Sequence, residues 1–214
     1  MTSDYRKTTT DWYQEGNFLR ELGKSKEAIK CFDKVIELDP DYDDAWEGKG
    51  KALLDLGEYQ DALSCYDNLI QINPQKDYYW YKKGYLLYLL KEHEQAIECY
   101  NKAIEINPNY VDAWNGKRVT LVFLGEYQDA LPCFDKIIEL DNRKDFYWLK
   151  KGDLLLYRLA RWQDAVECCD KATQLNPHNV DAWRSKAFAL FNLEEYQKAL
   201  SCYDKLIELL FITN

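Results

Sequence analysis

The chain has 214 residues, with 28 Lys and Arg against 37 Asp and Glu, a formal charge of −9. Hydrophobic residues make up 47% and charged residues 30%, the balance of a folded, soluble chain and not of a disordered one. A pI near 4.9 argues against a nucleic-acid or anionic-membrane partner, because phosphate binding draws on clustered Lys and Arg.

The first residues, MTSDYRKTTT, lack the apolar region of a signal peptide. No run of about 18 apolar residues offers a membrane span. A cytoplasmic location is therefore expected. The seven cysteines contain no CxxC pair, which fits a reducing compartment.

Internal repetition dominates the sequence. Six tryptophans, Trp12, Trp46, Trp80, Trp114, Trp148 and Trp183, follow each other at intervals of 34 residues, with one interval of 35. Cys31, Cys65, Cys99, Cys133, Cys168 and Cys202 keep the same beat, as do Ala28, Ala62, Ala96, Ala130, Ala165 and Ala199. The ladders place one extra residue between Trp148 and Ala165. After a tail at residues 1–8, the predicted repeats are 9–42, 43–76, 77–110, 111–144, 145–179 and 180–213.

Each repeat carries two apolar blocks at helical spacing, read as helix A, turn, helix B, turn. With Trp as position 4, position 8 is Gly16, Gly50, Gly84 and Gly152, but Arg118 and Ala187 break the column. Position 24 is Phe32, Tyr66, Tyr100, Phe134, Cys169 and Tyr203. Gly23, Gly57 or Gly125 marks the turn between blocks, and Pro at position 32 ends helix B. Asp43, Asp77 and Asp145 are expected to cap the next helix or to sit at its positive end. A longer period is also present: KDYYWYKKG (76–84) recurs as KDFYWLKKG (144–152), so a pair of repeats looks like the duplicated unit. Pro132 falls early in a B helix and is expected to bend it.

These columns, W-x3-G, A-x3-[FY] and Pro, resemble the tetratricopeptide repeat over residues 9–213. One departure is systematic: the usual apolar residue before the Gly is Lys49, Lys83, Lys117, Lys151 or Lys186, with Glu15 in the first repeat. The resemblance implies an all-α, right-handed superhelical solenoid of twelve antiparallel helices, with A helices on the concave side. It also implies a non-catalytic scaffold that binds a peptide segment or a partner helix in that groove. Carried onto this chain in order, the groove positions include Tyr13 and Asn17, then Lys51, then Tyr78, Tyr81, Lys82, Tyr85 and Tyr88. Asn115, Phe146, Lys150, Arg184, Phe188 and Phe191 follow. The aromatic residues would supply contact area, and the Asn, Lys and Arg residues would orient a backbone or charges. A tetratricopeptide subtype that grips a C-terminal carboxylate is matched by Asn17 but not by Tyr13 or Gly48.

Several competing readings are weaker. The Cys ladder is expected to be small-residue packing, because equivalent positions in stacked repeats lie too far apart for disulfides. The Lys column is expected to pair with Asp33, Asp67, Asp135, Asp170 and Asp204. His93 and His178 assemble no metal set, DPDYDD (39–44) lacks the Gly and Glu of a calcium loop, and no catalytic motif is present. No cofactor and no metal are expected. The last stretch, LIELLFITN, shows no polar cap. Either a longer protein continues there or Leu206, Leu209, Leu210, Phe211 and Ile212 pack against another copy. A homo-oligomer formed through this end is the alternative to the peptide groove.

Overall fold

The structure is a computed structural model and describes residues 7–141 and 143–212, with the side chains of 211 and 212 left aside. Phe211 and Ile212 as contact residues therefore lie outside the described side chains. Twelve helices follow one another: α1 Thr9–Glu21, α2 Ser25–Leu38, α3 Asp43–Leu56, α4 Tyr59–Ile72, α5 Asp77–Leu89 and α6 His93–Ile106. Then come α7 Val111–Leu124, α8 Tyr127–Leu140, α9 Asp145–Tyr157, α10 Trp162–Leu175, α11 Val180–Asn192 and α12 Tyr196–Ile212. They form an all-α solenoid of stacked antiparallel pairs. The chain divides into two compact units, one ending at Gly116 and one starting at Lys117. In the first, each helix from α1 to α5 packs on its successor, and α1 also touches α3. In the second, α8 to α12 pack in the same sequential way, and α9 also touches α11.

The aromatic column is buried as far as Phe134, whereas Tyr203 at its end is 38% exposed. Phe32 is 0% exposed, and Tyr66, Tyr100 and Phe134 are 1% exposed. Glycines make the room. A Cβ on Gly16 would stand 2.8 Å from the Phe32 ring, and one on Gly48 only 2.6 Å from it. Tyr100 is held in the same way between Gly84 and Gly116, at 2.8 and 2.6 Å. Each of these rings is thus gripped by its own A helix and by the next one. Where the column holds Cys169, no ring needs that space. The inserted residue lodges in the turn 158–161 between α9 and α10, leaving both helices at 13 and 14 residues.

Turn geometry is conserved in shape more than in residue type. Gly23, Gly57 and Gly125 take φ of +73°, +77° and +82°, where glycine has no Cβ to clash. Lys91, Ala160 and Glu194 adopt the same left-handed region at +66°, +51° and +62°, at a cost of about 1 kcal/mol each. The left-handed turn thus forms at these three places without glycine. Helix α8 runs from Tyr127 to Leu140 with Pro132 inside it, a residue that brings no backbone donor.

The tryptophans do more than fill space. The Trp46, Trp80, Trp114 and Trp183 indole N–H groups donate to the carbonyls of Pro40, Pro74, Pro108 and Pro177, at 2.8–2.9 Å. Each bond ties a turn to the helix that follows it, joining two columns that read as independent in sequence. Trp80→Phe removes this donor while keeping an aromatic ring. The expected loss is about 1 kcal/mol, read as a lower midpoint in urea unfolding followed by circular dichroism.

Asp43, Asp77 and Asp145 are the first residues of α3, α5 and α9, and no side chain caps these helices. Of the two expected roles the second holds: the three Asp residues are not the N-caps, and their carboxylates lie at the positive helix ends and tie structure together laterally. Asp43 accepts from the Tyr79 hydroxyl at 3.2 Å, and Asp77 from Asn107 at 2.7 Å. Asp145 accepts from Asn176 and Asn179 at 2.9 and 2.7 Å. The Lys column pairs as the spacing predicts: Lys49–Asp33, Lys83–Asp67, Lys151–Asp135 and Lys186–Asp170 lie at 2.5–2.7 Å. These pairs are partly exposed and contribute little stability individually.

All seven cysteines are free and buried. Burial pushes the thiols of Cys65, Cys99, Cys133 and Cys168 up to about 11. They behave as small apolar residues.

Candidate functional site

The A helices α1, α3 and α5 build the candidate face in the first unit. Sequence register brings Lys51, Tyr78, Tyr81, Lys82 and Tyr85 together there. Lys82 Nζ lies 5.3, 5.4 and 5.9 Å from the ring centroids of Tyr78, Tyr81 and Tyr85. Lys51 Nζ lies 5.8 Å from the Tyr78 centroid. The two lysines differ. Burial would lower Lys51, but its hydrogen bond to Glu47 and that carboxylate's charge hold it above the ordinary range. Burial and the charge of Lys51 hold Lys82 below it. Lys82 makes no hydrogen bond or ion pair among the described residues. It is a half-buried cation whose surroundings are ring faces, an arrangement that stabilises an ammonium by cation–π attraction and leaves its three donors unused.

The remaining first-unit candidates divide between packing and surface. Tyr81 stacks edge-on to Tyr110 at 5.3 Å and leans on Tyr100 at 6.1 Å. Burial raises its hydroxyl above the usual phenol range, with Asp112 adding to it. Tyr85 is 36% exposed. Tyr88 packs on His93, with ring centroids 5.5 Å apart. Tyr13 packs on Phe32 and Tyr42, so it serves the core of the first helix pairs. Asn17 and Asn115 are half-buried.

In the second unit the candidate face lies on α9 and α11. Phe146, Phe188 and Phe191 are 51%, 41% and 52% exposed. Lys150 Nζ lies 5.8 Å from the Phe146 centroid and 3.7 Å from Asp153. Arg184 is exposed and paired with Asp181. Phe188 stacks on Tyr157 at 5.8 Å and 25°, and Phe191 meets Tyr196 edge-on at 5.6 Å. Tyr157, 53% exposed, belongs to this wall. It occupies position 13 of its repeat, so the register itself could have found it.

The last helix corrects one expectation. Leu209 is 4% exposed, and Leu206 is half-buried. With Ala199 and Cys202 they form an i, i+3, i+4 stripe, and helical geometry turns such a stripe to one side, here the covered one. Leu210 is 48% exposed and belongs to a second stripe with Tyr196, Leu200, Tyr203 and Ile207, all 38–57% exposed. Among the described residues, no group of three or more His, Cys, Asp or Glu is placed to hold a metal ion. None of the described helices is long and apolar enough to cross a membrane.

Stacked helix pairs, a Gly-gripped aromatic column and Trp-to-Pro bonds at a 34-residue period define a helical repeat protein. Residues 13–77 and 78–110 match family models of the tetratricopeptide repeat, and residues 124–206 match that of anaphase-promoting complex, cyclosome, subunit 3. The chain is a tetratricopeptide-repeat protein with several tandem repeats. It is 55% identical over 31 residues to a TPR repeat-containing protein of Methanocaldococcus jannaschii, a match spanning 14% of this chain and 9% of that protein. Among solved structures it resembles YrrB, described as a TPR protein with an unusual peptide-binding site. The identity is 23%, the TM-score 0.67, and the coverage 84% of this chain and 92% of that one. A tetratricopeptide repeat protein from Parabacteroides merdae gives a TM-score of 0.71 at 17% identity, covering 94% and 79% of the two chains. These likenesses establish the fold.

Proposed function

We propose that residues 9–213 act as one array of six repeats, a cytoplasmic scaffold that docks a peptide segment or helix of a partner protein. The docking face is that of the A helices. One observation carries the reading: Lys82 is a half-buried cation among Tyr78, Tyr81 and Tyr85 with no polar partner among the described residues. A structural lysine would reach an acid, as Lys83 beside it reaches Asp67. Exposed Phe146, Phe188 and Phe191 supply apolar anchors on the equivalent face of the second unit, the kind of residue that concentrates binding energy. The peptide-binding site described for YrrB is consistent with this use of the fold.

The test is capture from a native lysate on immobilised chain, wild type against Lys82→Ala/Tyr85→Ala, with bound proteins identified by mass spectrometry. Tyr81 is left intact because it packs on Tyr100 and Tyr110. A protein held by the wild type and reduced about tenfold or more by the variant is the expected result. Equal retention by both removes the docking face. Retention of further copies of the chain alone favours the second reading, self-assembly through the exposed stripe of Tyr196, Leu200, Tyr203, Ile207 and Leu210.

A further inference from the structure

The break in the glycine column has a structural consequence. Arg118 stands where Gly16, Gly50, Gly84 and Gly152 stand in other repeats. Its guanidinium carbon lies 4.8 Å from the centroid of Phe134, which remains 1% exposed. Beside it opens a cleft of about 360 Å³. Val122, Phe134 and Leu154 form its apolar surface, and Tyr157 stands at the side where it stacks on Phe188. Arg118, Lys150 and Arg158 bring three cations to it, against the single carboxylate of Asp153.

That carboxylate is already engaged. It accepts from the Ser185 hydroxyl at 2.7 Å and lies 3.7 Å from Lys150. Arg158 makes no ion pair among the described residues, and its guanidinium carbon lies 5.6 Å from the Tyr127 centroid. Burial holds the Arg118 guanidinium below its ordinary value, although it stays charged at any working pH. The cleft is therefore a cationic, partly desolvated hollow in a chain of net charge −9. Two guanidinium groups beside apolar walls match a planar carboxylate on a short hydrocarbon stem. Partial desolvation strengthens such a pair over its value in water.

We propose that this cleft is an acidic-residue subsite: it receives a glutamate or aspartate side chain of the docked partner segment, next to an apolar residue placed on Tyr157 and Phe188. The inference rests on the A-helix docking face and specifies its partner as a segment with an acidic residue beside an apolar one.

The probe is 3-phenylpropionate, a carboxylate on a phenyl stem, with neutral 3-phenylpropanamide as its control. Binding to the full chain is followed by proton–nitrogen NMR. Two variants are compared, Arg118→Gly and Arg158→Gln. The first restores the residue that four other repeats carry at this position, and the second changes an exposed residue at the end of α9. Saturable shifts at residues 118–158 are expected for the carboxylate, with affinity about tenfold lower for the amide and for each variant. Equal binding of acid and amide, or no loss in either variant, overturns the subsite. The two readings fail separately. A captured partner that is lost in Lys82→Ala/Tyr85→Ala but kept in Arg118→Gly leaves the docking face standing and overturns the subsite. Arginine-dependent binding of phenylpropionate, with partners retained equally by the wild type and Lys82→Ala/Tyr85→Ala, supports the subsite chemistry and removes the docking face.

Discussion

Replacing Phe32 by alanine lowers the stability of the first unit by about 3–5 kcal/mol. The ring is 0% exposed and lies between Gly16 and Gly48. Glycines have no side chains to fold into the vacated space, so the cavity persists and the cost falls in the upper part of that range. Gly48→Ala tests the other partner of the same contact. Alanine is the better helix former by about 1 kcal/mol. Its Cβ would stand 2.6 Å from the ring, and overpacking of this kind costs about 1–3 kcal/mol. A net loss of about 1 kcal/mol is expected from these two terms. The two changes together should cost clearly less than their sum, because the new methyl group enters the space the ring leaves. Urea unfolding of the four proteins measures all three quantities. A loss below about 1.5 kcal/mol for Phe32→Ala, or strict additivity in the pair, would show that the ring is not gripped as described.

That contact also marks how far the sequence could be read. The 34-residue period foretells twelve helices in alternating A and B blocks, because Trp, Ala, Cys and the aromatic residue each recur on a fixed face. Only the position 8 glycine was visible as a column. Gly48 and Gly116 occur in alternate repeats, 68 residues apart, and their meaning appears only once the rings of Phe32 and Tyr100 are seen beneath them. Lys91, Ala160 and Glu194 hide left-handed turns, since nothing in those residue types asks for positive φ. The lysine–tyrosine cluster was legible by register, but the missing partner of Lys82 was not, because pairing depends on which acids reach it. Arg118 was visible as an exception and mute as to role. Leu209 is covered and its neighbour Leu210 open, a division that the apolar run by itself does not show. A helix splits such a run between two faces, one covered and one open.

Raising the pH should unfold the chain cooperatively between about pH 9 and 11, the window set by its buried thiols. Burial lifts Cys65, Cys99, Cys133 and Cys168 from near 9 to about 11, and Cys169 to about 12. The sign is fixed by linkage. The fold holds these protons more tightly than the unfolded chain does, so their stabilisation is complete below about 9 and is lost as pH climbs towards 11. For one thiol this amounts to roughly 3 kcal/mol. Several such thiols together rival the whole stability of a domain, about 5–15 kcal/mol. The chain should therefore open before the thiols ionise in place. The tyrosine hydroxyls of Tyr66 and Tyr100, also raised by burial, extend the same trend to higher pH. Far-ultraviolet circular dichroism and thiolate absorbance, recorded on the same samples, should change together. In Cys65→Ala/Cys99→Ala/Cys133→Ala/Cys168→Ala, the transition should move to higher pH, provided its stability at neutral pH matches the wild type. Full helicity at pH 11 with the thiols already ionised would mean that water reaches them, and that the column is less tightly closed than its burial implies.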